Sequence, residues 1–305
     1  MSRSPYPFLV LVLLVSFLIT SCGGGDGSAG GSGKLNLNIT DAPIDGAYEV
    51  VVSFSGLTIK PAEGPAIDIF FEDPDGNPEI KTVDLLSLQG ANSLNILDAY
   101  TLPAGRYNWI RLHVVASETT FDSYIILEQG GNQYPLYVPS GDETGLKLNR
   151  GFTIFDGRVA TFTIDFDLRK SVVEPGTMST AYKLKPTLRI VEDQNAGHIT
   201  GTVGTETASD PGCAGKTYAD FAVYAFTGAG VTPDDMDNND PDPVSSSRLT
   251  DVYSYGIGFL EQGDYTLAVT CEAIDDKVDS DDSINFIASK NVSVIAGQII
   301  TENFN

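Results

Sequence analysis

Residues 159–173 read VATFTIDFDLRKSVV, and this stretch decides the kind of fold. Phe162, Ile164 and Phe166 alternate with polar residues, and Leu168 continues the apolar series. An alternation with a period of two buries one face of a β-strand and leaves the other face to water. The stretch therefore predicts a strand whose polar face carries the acidic and basic residues of DFDLRK.

The same pattern recurs along the chain on both sides of this strand. Leu35, Leu37 and Ile39 alternate with polar residues, and a second alternating run covers residues 50–55. Turn-forming sequences separate such runs, for example DGN at residues 75–77 and GGN at residues 130–132. Short alternating strands between turns are typical of antiparallel β-sandwiches. The one candidate helix covers residues 85–98, where four leucines could line one side, although Gly90 interrupts it.

We expect an all-β chain with two β-sandwich domains of the immunoglobulin-like or prealbumin-like kind. The first domain would cover residues 34–193 and the second residues 197–305, with the polar sequence EDQNA at residues 192–196 as the hinge. A chain of 305 residues with 42% hydrophobic residues can form two such cores.

An apolar run of twelve residues, 8–19, precedes the first strand and follows Arg3. The run is too short to span a bilayer and has the size of a signal-peptide core. After it come Cys22 and the sequence GGGDGSAGGSG at residues 23–33, whose composition is that of a flexible linker. We predict a signal peptide over residues 1–21 and a tether over residues 22–33.

The sequence LITSC at residues 18–22 resembles the lipobox of bacterial lipoproteins. The resemblance implies cleavage before Cys22 and attachment of fatty acids such as palmitate to that residue, so that the protein contacts the membrane through its lipid. Gly23 in the second mature position implies the outer membrane, with the folded part facing the periplasm or the exterior. The alternative is an ordinary secreted protein that is cut nearby.

Two further cysteines, Cys213 and Cys271, both lie in the last third of the chain. Export to an oxidising compartment favours a disulfide between them, which would stabilise the fold by about 4 kcal/mol in the chain-entropy description. Two buried thiols are the alternative.

The charge balance is strongly acidic, with 41 Asp and Glu against 18 Lys and Arg. This net charge of −23 repels nucleic acid and anionic lipid, so neither is expected as a partner. Two loops of the second domain carry much of the charge: Asp234, Asp235, Asp237, Asp240 and Asp242 in the first, and Asp275, Asp276, Asp279, Asp281 and Asp282 in the second.

The first acidic loop suggests calcium as the one cofactor to consider. Asp235, Asp237 and Asn239 have the one-three-five spacing of a calcium-binding loop, and Asp240 and Asp242 are further candidate ligands. The match to an EF-hand then fails, because glycine and a bidentate glutamate are missing at the required positions. Solvated acidic loops are therefore the favoured interpretation, and weak calcium binding by one loop or both is the alternative.

Asp165 and Asp167 are the most suggestive pair for catalysis. Residues two apart on a strand share one face at a separation of about 7 Å, which lies within the range that glycosidases use. Arg169 and Lys170 stand beside them, so plain charge pairing on a solvated face is the favoured interpretation. Neither of the two histidines has a second ligand at metal-binding spacing, and no nucleophile elbow or phosphate-binding loop occurs. We predict that the chain is not an enzyme.

Six ordered blocks are similar to a bacterial envelope family known as the domain of unknown function 4382. They read NITDAP (38–43), DLLSLQG (84–90), LPAGRYNWIRL (102–112), SGDETGLK (140–147), DFDLRKSV (165–172) and KLKPT (183–187). The resemblance implies a β-rich module without known catalytic residues.

Residues 197–305 resemble the carboxypeptidase-regulatory or transthyretin-like sandwiches in their layout. The resemblance rests on the opening Gly201-x-Val203, the turn LEQGDY at residues 260–265 and the closing VIAGQ at residues 294–298. It implies a small seven-stranded domain that binds or spaces rather than catalyses.

Three functional hypotheses follow. The first is a lipid-anchored cell-envelope module that binds an envelope or extracellular ligand, such as a glycan, a protein or a cation. The second is a structural spacer or adhesin-like surface component. The third is a carboxylate-dependent hydrolase that acts on envelope or extracellular glycans, which requires a cleft with two converging acids.

Overall fold

The computed structural model describes residues 1, 30–42, 46–139, 145–176, 179–185, 187–278 and 280–305. The predicted signal peptide, the lipid attachment site at Cys22 and most of the glycine-rich tether lie outside these residues. Residues 31–305 form one compact unit. Strands dominate this unit and its helices are short, so the all-β prediction is confirmed. Among the described residues no helix has the length and apolar character needed to cross a membrane.

The strands fall into two groups, before and after Asp193. The first group comprises β1 Ser32–Ala42, β2 Glu49–Pro61, β3 Ile67–Phe70, β4 Lys81–Asp84, β5 Leu94–Pro103, β6 Gly105–Val114, β7 Tyr124–Ile126, β8 Gln133–Tyr137, β9 Leu146–Leu148, β10 Phe152–Ile154, β11 Val159–Asp167, β12 Val172–Val173, β13 Tyr182–Leu184 and β14 Leu188–Glu192. The second group comprises β15 Ala196–Thr202, β16 Ala222–Thr227, β17 Ser245–Arg248, β18 Ser254–Glu261, β19 Gly263–Thr270, β20 Phe286–Val294 and β21 Ile299–Thr301. The helices are α1 Leu168–Ser171, α2 Thr205–Ala208 and 3-10 turns at Leu85–Leu88, Asp193–Asn195, Pro211–Cys213 and Tyr218–Asp220.

The first half consists of two sheets around one hydrophobic core. The smaller sheet has the order β14-β11-β1-β5, and the larger follows β10-β6-β2-β7-β8-β13-β12 with β3, β4 and β9 attached at its sides. The alternation in β1 places Leu35, Leu37 and Ile39 wholly inside. β1 pairs with β11 in parallel, whereas the sequence pattern had suggested antiparallel sheets throughout. Parallel neighbours need a long crossover, and the strands between β1 and β11 supply it.

The prediction of a helix over residues 85–98 is wrong. Only Leu85–Leu88 turns helically, with the Asp84 carboxylate accepting the Leu86 amide, and β5 begins at Leu94. Gly90 separates the two with a φ of 69°, a conformation that glycine adopts without strain. The alternation at Leu168 also ends early, because Asp167 accepts the backbone amide of Lys170 and starts α1 there.

The second half encloses its own core between the sheets β18-β15-β21 and β17-β16-β19-β20. Cys213 and Cys271 form a disulfide with their Cα atoms 5.8 Å apart, so this prediction is confirmed. β16 is buried on both faces, because its Tyr224 and Phe226 pack with Met236 in a second small core beneath the acidic loops. Within the described residues no strand ladder crosses Asp193. The domain limits of the sequence analysis stay a prediction.

Candidate functional site

The DFDLRKSV block lies where the first half meets the second, a region that we name the junction and define by residues 165–170, 187–189, 240–246 and 273–276. Asp165 is buried in β11 and faces Arg189 of β14 directly across the ladder. The two side chains form an ion pair through Arg189 Nη2 and Asp165 Oδ2. Burial raises the pKa of Asp165, and the neighbouring guanidinium opposes that rise.

Asp167 and Lys170 form the second charged contact of the junction. Asp167 accepts the Lys170 amide at 3.2 Å, and the Lys170 ammonium lies 4.0 Å from the same carboxylate. The ammonium also pairs with Asp242 and donates to the Pro243 carbonyl at 3.2 Å. Burial raises the pKa of Asp167, and the charge of Lys170 opposes the rise. Lys170 therefore joins the end of β11 to a loop of the other half.

Arg169 reaches further into the second half. Its guanidinium donates to the Tyr224 hydroxyl and to the Ala273 carbonyl, both at 2.7 Å, and lies 3.8 Å from the Asp276 carboxylate. The Tyr224 hydroxyl in turn donates to Asp276. The side chains of Arg169 and Asp276 are 4% and 0% exposed, so this contact belongs to a protein interior.

The expectation of a solvated charged face is therefore wrong. The face of β11 that carries Asp165 is polar, but the second half covers it, and each charge has a partner that is buried or only partly exposed. The alternation of β11 shows only which face is polar. It does not show what lies against that face.

A cavity of about 210 Å³ opens at the junction. Its lining combines the charged groups just described with Thr187 and Val244. Two buried polar atoms in this lining, Arg189 Nε and Asp242 Oδ1, have no hydrogen-bond partner among the described residues. A buried donor or acceptor without a hydrogen bond costs about 1–3 kcal/mol. A ligand that forms hydrogen bonds with Arg189 Nε and Asp242 Oδ1 would recover this free energy.

The two carboxylates that had suggested glycosidase chemistry both line this cavity. Asp165 is held by Arg189, and Asp167 is held by the amide and ammonium of Lys170. A carboxylate paired with a cation is a weaker nucleophile and a weaker base than an unpaired one, because the cation stabilises its negative charge. The arrangement favours binding over bond cleavage.

The acidic loops of the second half converge, although the sequence analysis treated them as two. Carboxylate oxygens of Asp235, Asp276 and Asp282 lie within 4.8 Å of one another, and so do those of Asp235, Asp237 and Asp281. Three other candidate ligands remain. The backbone amide of Asn239 donates to Asp237 at 2.8 Å, and Asp242 pairs with Lys170. Asp240 belongs to neither group of carboxylates. Asp279 lies outside the described residues. Calcium binding stays a prediction, now centred on Asp235.

Sequence reasoning did not find several residues in the junction or next to it. Arg189 had a usable signal, because it lies in the strand sequence LRIVE opposite an acidic strand. Tyr224 and Ala273 had none, since their approach to Arg169 depends on how the halves pack. Asp41 belongs to the NITDAP block, to which the sequence analysis assigns no role, yet its side chain is buried.

Comparison with known proteins gives one family and a set of distant structures. Residues 32–186 match the family described as domain of unknown function (DUF4382). A comparison with curated proteins gives no match.

Among solved structures, the Bacillus anthracis TIE protein is 12% identical, with a TM-score of 0.21, over 88% of this chain and 33% of the other. The minor pilin GBS52 of Streptococcus agalactiae is 12% identical, with a TM-score of 0.21, over 88% of this chain and 94% of the other. A putative adhesin from Bacteroides ovatus is 12% identical, with a TM-score of 0.18, over 84% of this chain and 75% of the other. This chain thus spans only a third of the TIE protein, and scores near these values support no functional inference.

Proposed function

This chain belongs to the family of the domain of unknown function 4382, and we propose that it is a lipid-anchored cell-envelope module that binds a small polar ligand at the junction. The observation that carries the binding role is the cavity of about 210 Å³ with its unsatisfied donor on Arg189 and acceptor on Asp242. The anchor rests on the lipobox at Cys22 and the short apolar run before it.

The lining indicates the class of ligand. It holds Lys170 and Arg189 together with Asp165, Asp167 and Asp242, so its positive and negative charges nearly balance. A ligand with a large charge of either sign would meet repulsion there, whereas hydroxyl groups can both donate and accept. The volume is below the range of about 300–1,000 Å³ that is usual for drug-sized ligands, which suits one sugar residue.

We propose that the second half is a transthyretin-like module that spaces and supports this site. Its strands β15–β21 number seven among the described residues, as in the domains that its layout resembles. Through Arg169 and Lys170 it is joined to the first half by buried contacts. The module would thus present the cavity as part of one rigid body.

A binding screen with the purified full chain tests the ligand. We expect retention on a glycan array, and an at least tenfold weaker affinity after Asp242→Asn, because the substitution replaces one acceptor oxygen with a donor. Asp251→Asn, an exposed acid of the same half, is the matched control and should bind like the wild type. Equal binding by the wild type and Asp242→Asn would contradict the assignment of the cavity.

The same glycans also test hydrolysis. If reducing ends accumulate with the wild type and vanish after Asp165→Asn, the hydrolase hypothesis replaces the binding one. We expect no such release, because the three carboxylates of the cavity, those of Asp165, Asp167 and Asp242, are paired with Arg189 or Lys170.

The anchor is tested separately by metabolic labelling with an alkyne fatty acid. The wild type should carry the label and sediment with membranes, and Cys22→Ser should lose the label and appear in the soluble fraction. A Cys22→Ser protein that still carries lipid would refute the proposed anchor. That result would not bear on the proposed ligand site.

A further inference from the structure

The chain enters its compact unit at Gly31, at one end of the first half. The Gly31 carbonyl accepts the amide of Ala104 at 2.7 Å, and the Ser32 carbonyl accepts the amide of Gly157 at 2.8 Å. The loop after β2 reaches the same end, because the Ala62 amide donates to the carbonyl of the second residue of β6 at 2.8 Å. We name this end the entry pole and define it by residues 31–34, 60–65, 103–106 and 155–159.

The entry pole is positively charged, although the whole sequence has a net charge of −23. Its charged residues are Lys34, Lys60, Arg106 and Arg158 against Glu63 and Asp156. The acidic loops lie beyond the opposite end of β11, because that strand starts at Val159 and leads into α1, where Arg169 contacts Asp276. The nine residues of β11 separate the two ends by about 26 Å, and salt at about 0.1 M screens charges beyond about 10 Å. The net charge of the chain therefore does not cancel the local attraction of the pole for an anionic surface.

The entry pole also exposes apolar side chains. Phe155 is 54% exposed and Val159 is 59% exposed, and the two flank one turn. The guanidinium of Arg158 lies 5.8 Å from the centre of the Phe155 ring. A cavity of about 520 Å³ opens at the pole, and its lining includes Pro61 and Pro103. Apolar groups beside cations are typical of surfaces that lie in the headgroup region of a bilayer.

The second half exposes two more apolar residues near this end. Asn195 lines a cavity together with Phe155, and the carbonyl of the next residue accepts the amide of Gly297 at 2.7 Å. Ile295 and Ile299 flank the turn that contains Gly297, and they are 49% and 61% exposed. Both halves thus present apolar groups at the end where the chain enters.

We propose that the entry pole lies on the phospholipid surface to which Cys22 is attached, with Phe155 and Val159 among the headgroups. Arg106 and Arg158 would then contact lipid phosphates. This proposal rests on the lipid anchor proposed above.

The length of the tether supports this choice of partner. Only residues 23–30 lie between Cys22 and Gly31, so the pole stays within about 30 Å of the anchored residue when the tether is fully extended. The root-mean-square reach of such a linker is about 16 Å. The tether therefore keeps the lipid surface at a high effective concentration near the pole, where weak contacts are sufficient for docking.

Fluorescence quenching by lipid tests the proposal on the lipidated full-length protein. Phe155→Trp and the control Val252→Trp are reconstituted into vesicles of phosphatidylethanolamine and phosphatidylglycerol whose acyl chains carry bromine close to the headgroup. Val252 is 73% exposed and precedes β18, whose other end, Glu261, lines the cavity shared with Phe155. After subtraction of the Trp109 signal of the wild type, we expect bromine to remove at least half of the emission from residue 155 and none from residue 252. Equal quenching at the two positions, or none at residue 155, would overturn the proposal.

The charge of the pole is tested in the same assay. Arg106→Gln/Arg158→Gln in the Phe155→Trp protein should reduce the quenching at least twofold. Lys216→Gln/Lys277→Gln removes two cations of the second half and should leave the quenching unchanged. If the two double variants quench equally, the pole does not dock through its cations and the proposal is overturned.

Chemical attachment separates this proposal from the lipid anchor. In residues 22–305, Cys22 is the one free thiol, because Cys213 and Cys271 are bonded to each other. Coupling Cys22 to a maleimide lipid attaches the same tether to a vesicle without bacterial lipidation. Quenching of Phe155→Trp in this protein, without a fatty acid on Cys22 in cells, would refute the anchor and support the docking surface. A fatty acid on Cys22 without quenching at residue 155 would overturn the docking surface and leave the anchor intact.

A second copy of the chain is the competing occupant of the pole. In that case residues 22–305 would dimerise in sedimentation velocity, Phe155→Ser/Val159→Ser would abolish the dimer, and lipid would not quench residue 155. That result would overturn the proposal.

Discussion

Replacing Arg169 with methionine should separate the two halves of this protein energetically. The substitution keeps much of the side-chain volume but removes the guanidinium that contacts Tyr224, Ala273 and Asp276 across the junction. Asp276 would stay buried without its cation. Breaking a buried ion pair in this way costs about 3–5 kcal/mol.

The structure places this case near the lower end of that range. Asp276 keeps two donors, the Tyr224 hydroxyl and the Met236 amide at 3.0 Å, so its charge would be only partly uncompensated. We therefore expect a loss of about 3 kcal/mol in the free energy of unfolding. Asp276→Asn in the same chain should recover part of the loss, because it removes the charge that Arg169 leaves behind.

Denaturant unfolding with two probes measures the effect. Trp109 is the only tryptophan of the sequence and is half-buried on β6 of the first half, so its fluorescence reports that half, whereas far-ultraviolet circular dichroism reports both. The two transitions should coincide in the wild type and separate in Arg169→Met.

The matched control is Arg150→Met. Arg150 also crosses to the second half, through an ion pair with Glu261, but those side chains are 54% and 47% exposed. An exposed pair contributes about 0–1 kcal/mol, so this variant should keep coincident transitions. If Arg169→Met lost no more stability than Arg150→Met, the assignment of the junction as a buried link would be refuted.

Three further predictions follow from the same structure. Cys213→Ser/Cys271→Ser should lose about 4 kcal/mol by calorimetry, because the bond closes a loop with a sequence separation of 58; a loss below about 1 kcal/mol would contradict the entropic account. The acidic loops should bind calcium weakly, at millimolar concentration, and Asp235→Asn should abolish that heat in titration calorimetry; equal heats from the wild type and the variant would exclude the loops as the site. Gly258→Ala should lower the melting temperature by several degrees, since its β-carbon would meet the Gly90 carbonyl, and an unchanged melting temperature would show that the backbones can move apart.

Local patterns predicted the strands well where one face meets a core. Leu35, Leu37 and Ile39 are buried as their alternation indicates, and Phe162, Ile164 and Phe166 lie opposite or beside them in β11. The pattern was insufficient at residues 85–98, because leucine spacing alone does not distinguish a helix from a turn followed by a strand. A local cap at Asp84 and pairing of β5 with β1 decided that segment.

The candidate site was predictable only in its parts. The sequence identified Asp165, Asp167, Arg169 and Lys170 as a charged block and identified two acidic loops. Their partners lie far away along the chain, as Tyr224 does from Arg169. No local pattern in the sequence indicates that two such residues are in contact.

The sequence by itself determined the β class and the expectation of export, because these depend on local composition and periodicity, and it determined the disulfide pairing because only two cysteines remain besides Cys22. The tertiary structure decided that the polar face of β11 is covered rather than solvated, and that Arg169 meets Asp276 in the protein interior. The physical reason is that burial and charge compensation depend on which surfaces pack together. A strand's alternation determines the polarity of its faces, but only the packed chain determines the dielectric and the partners that each charge meets.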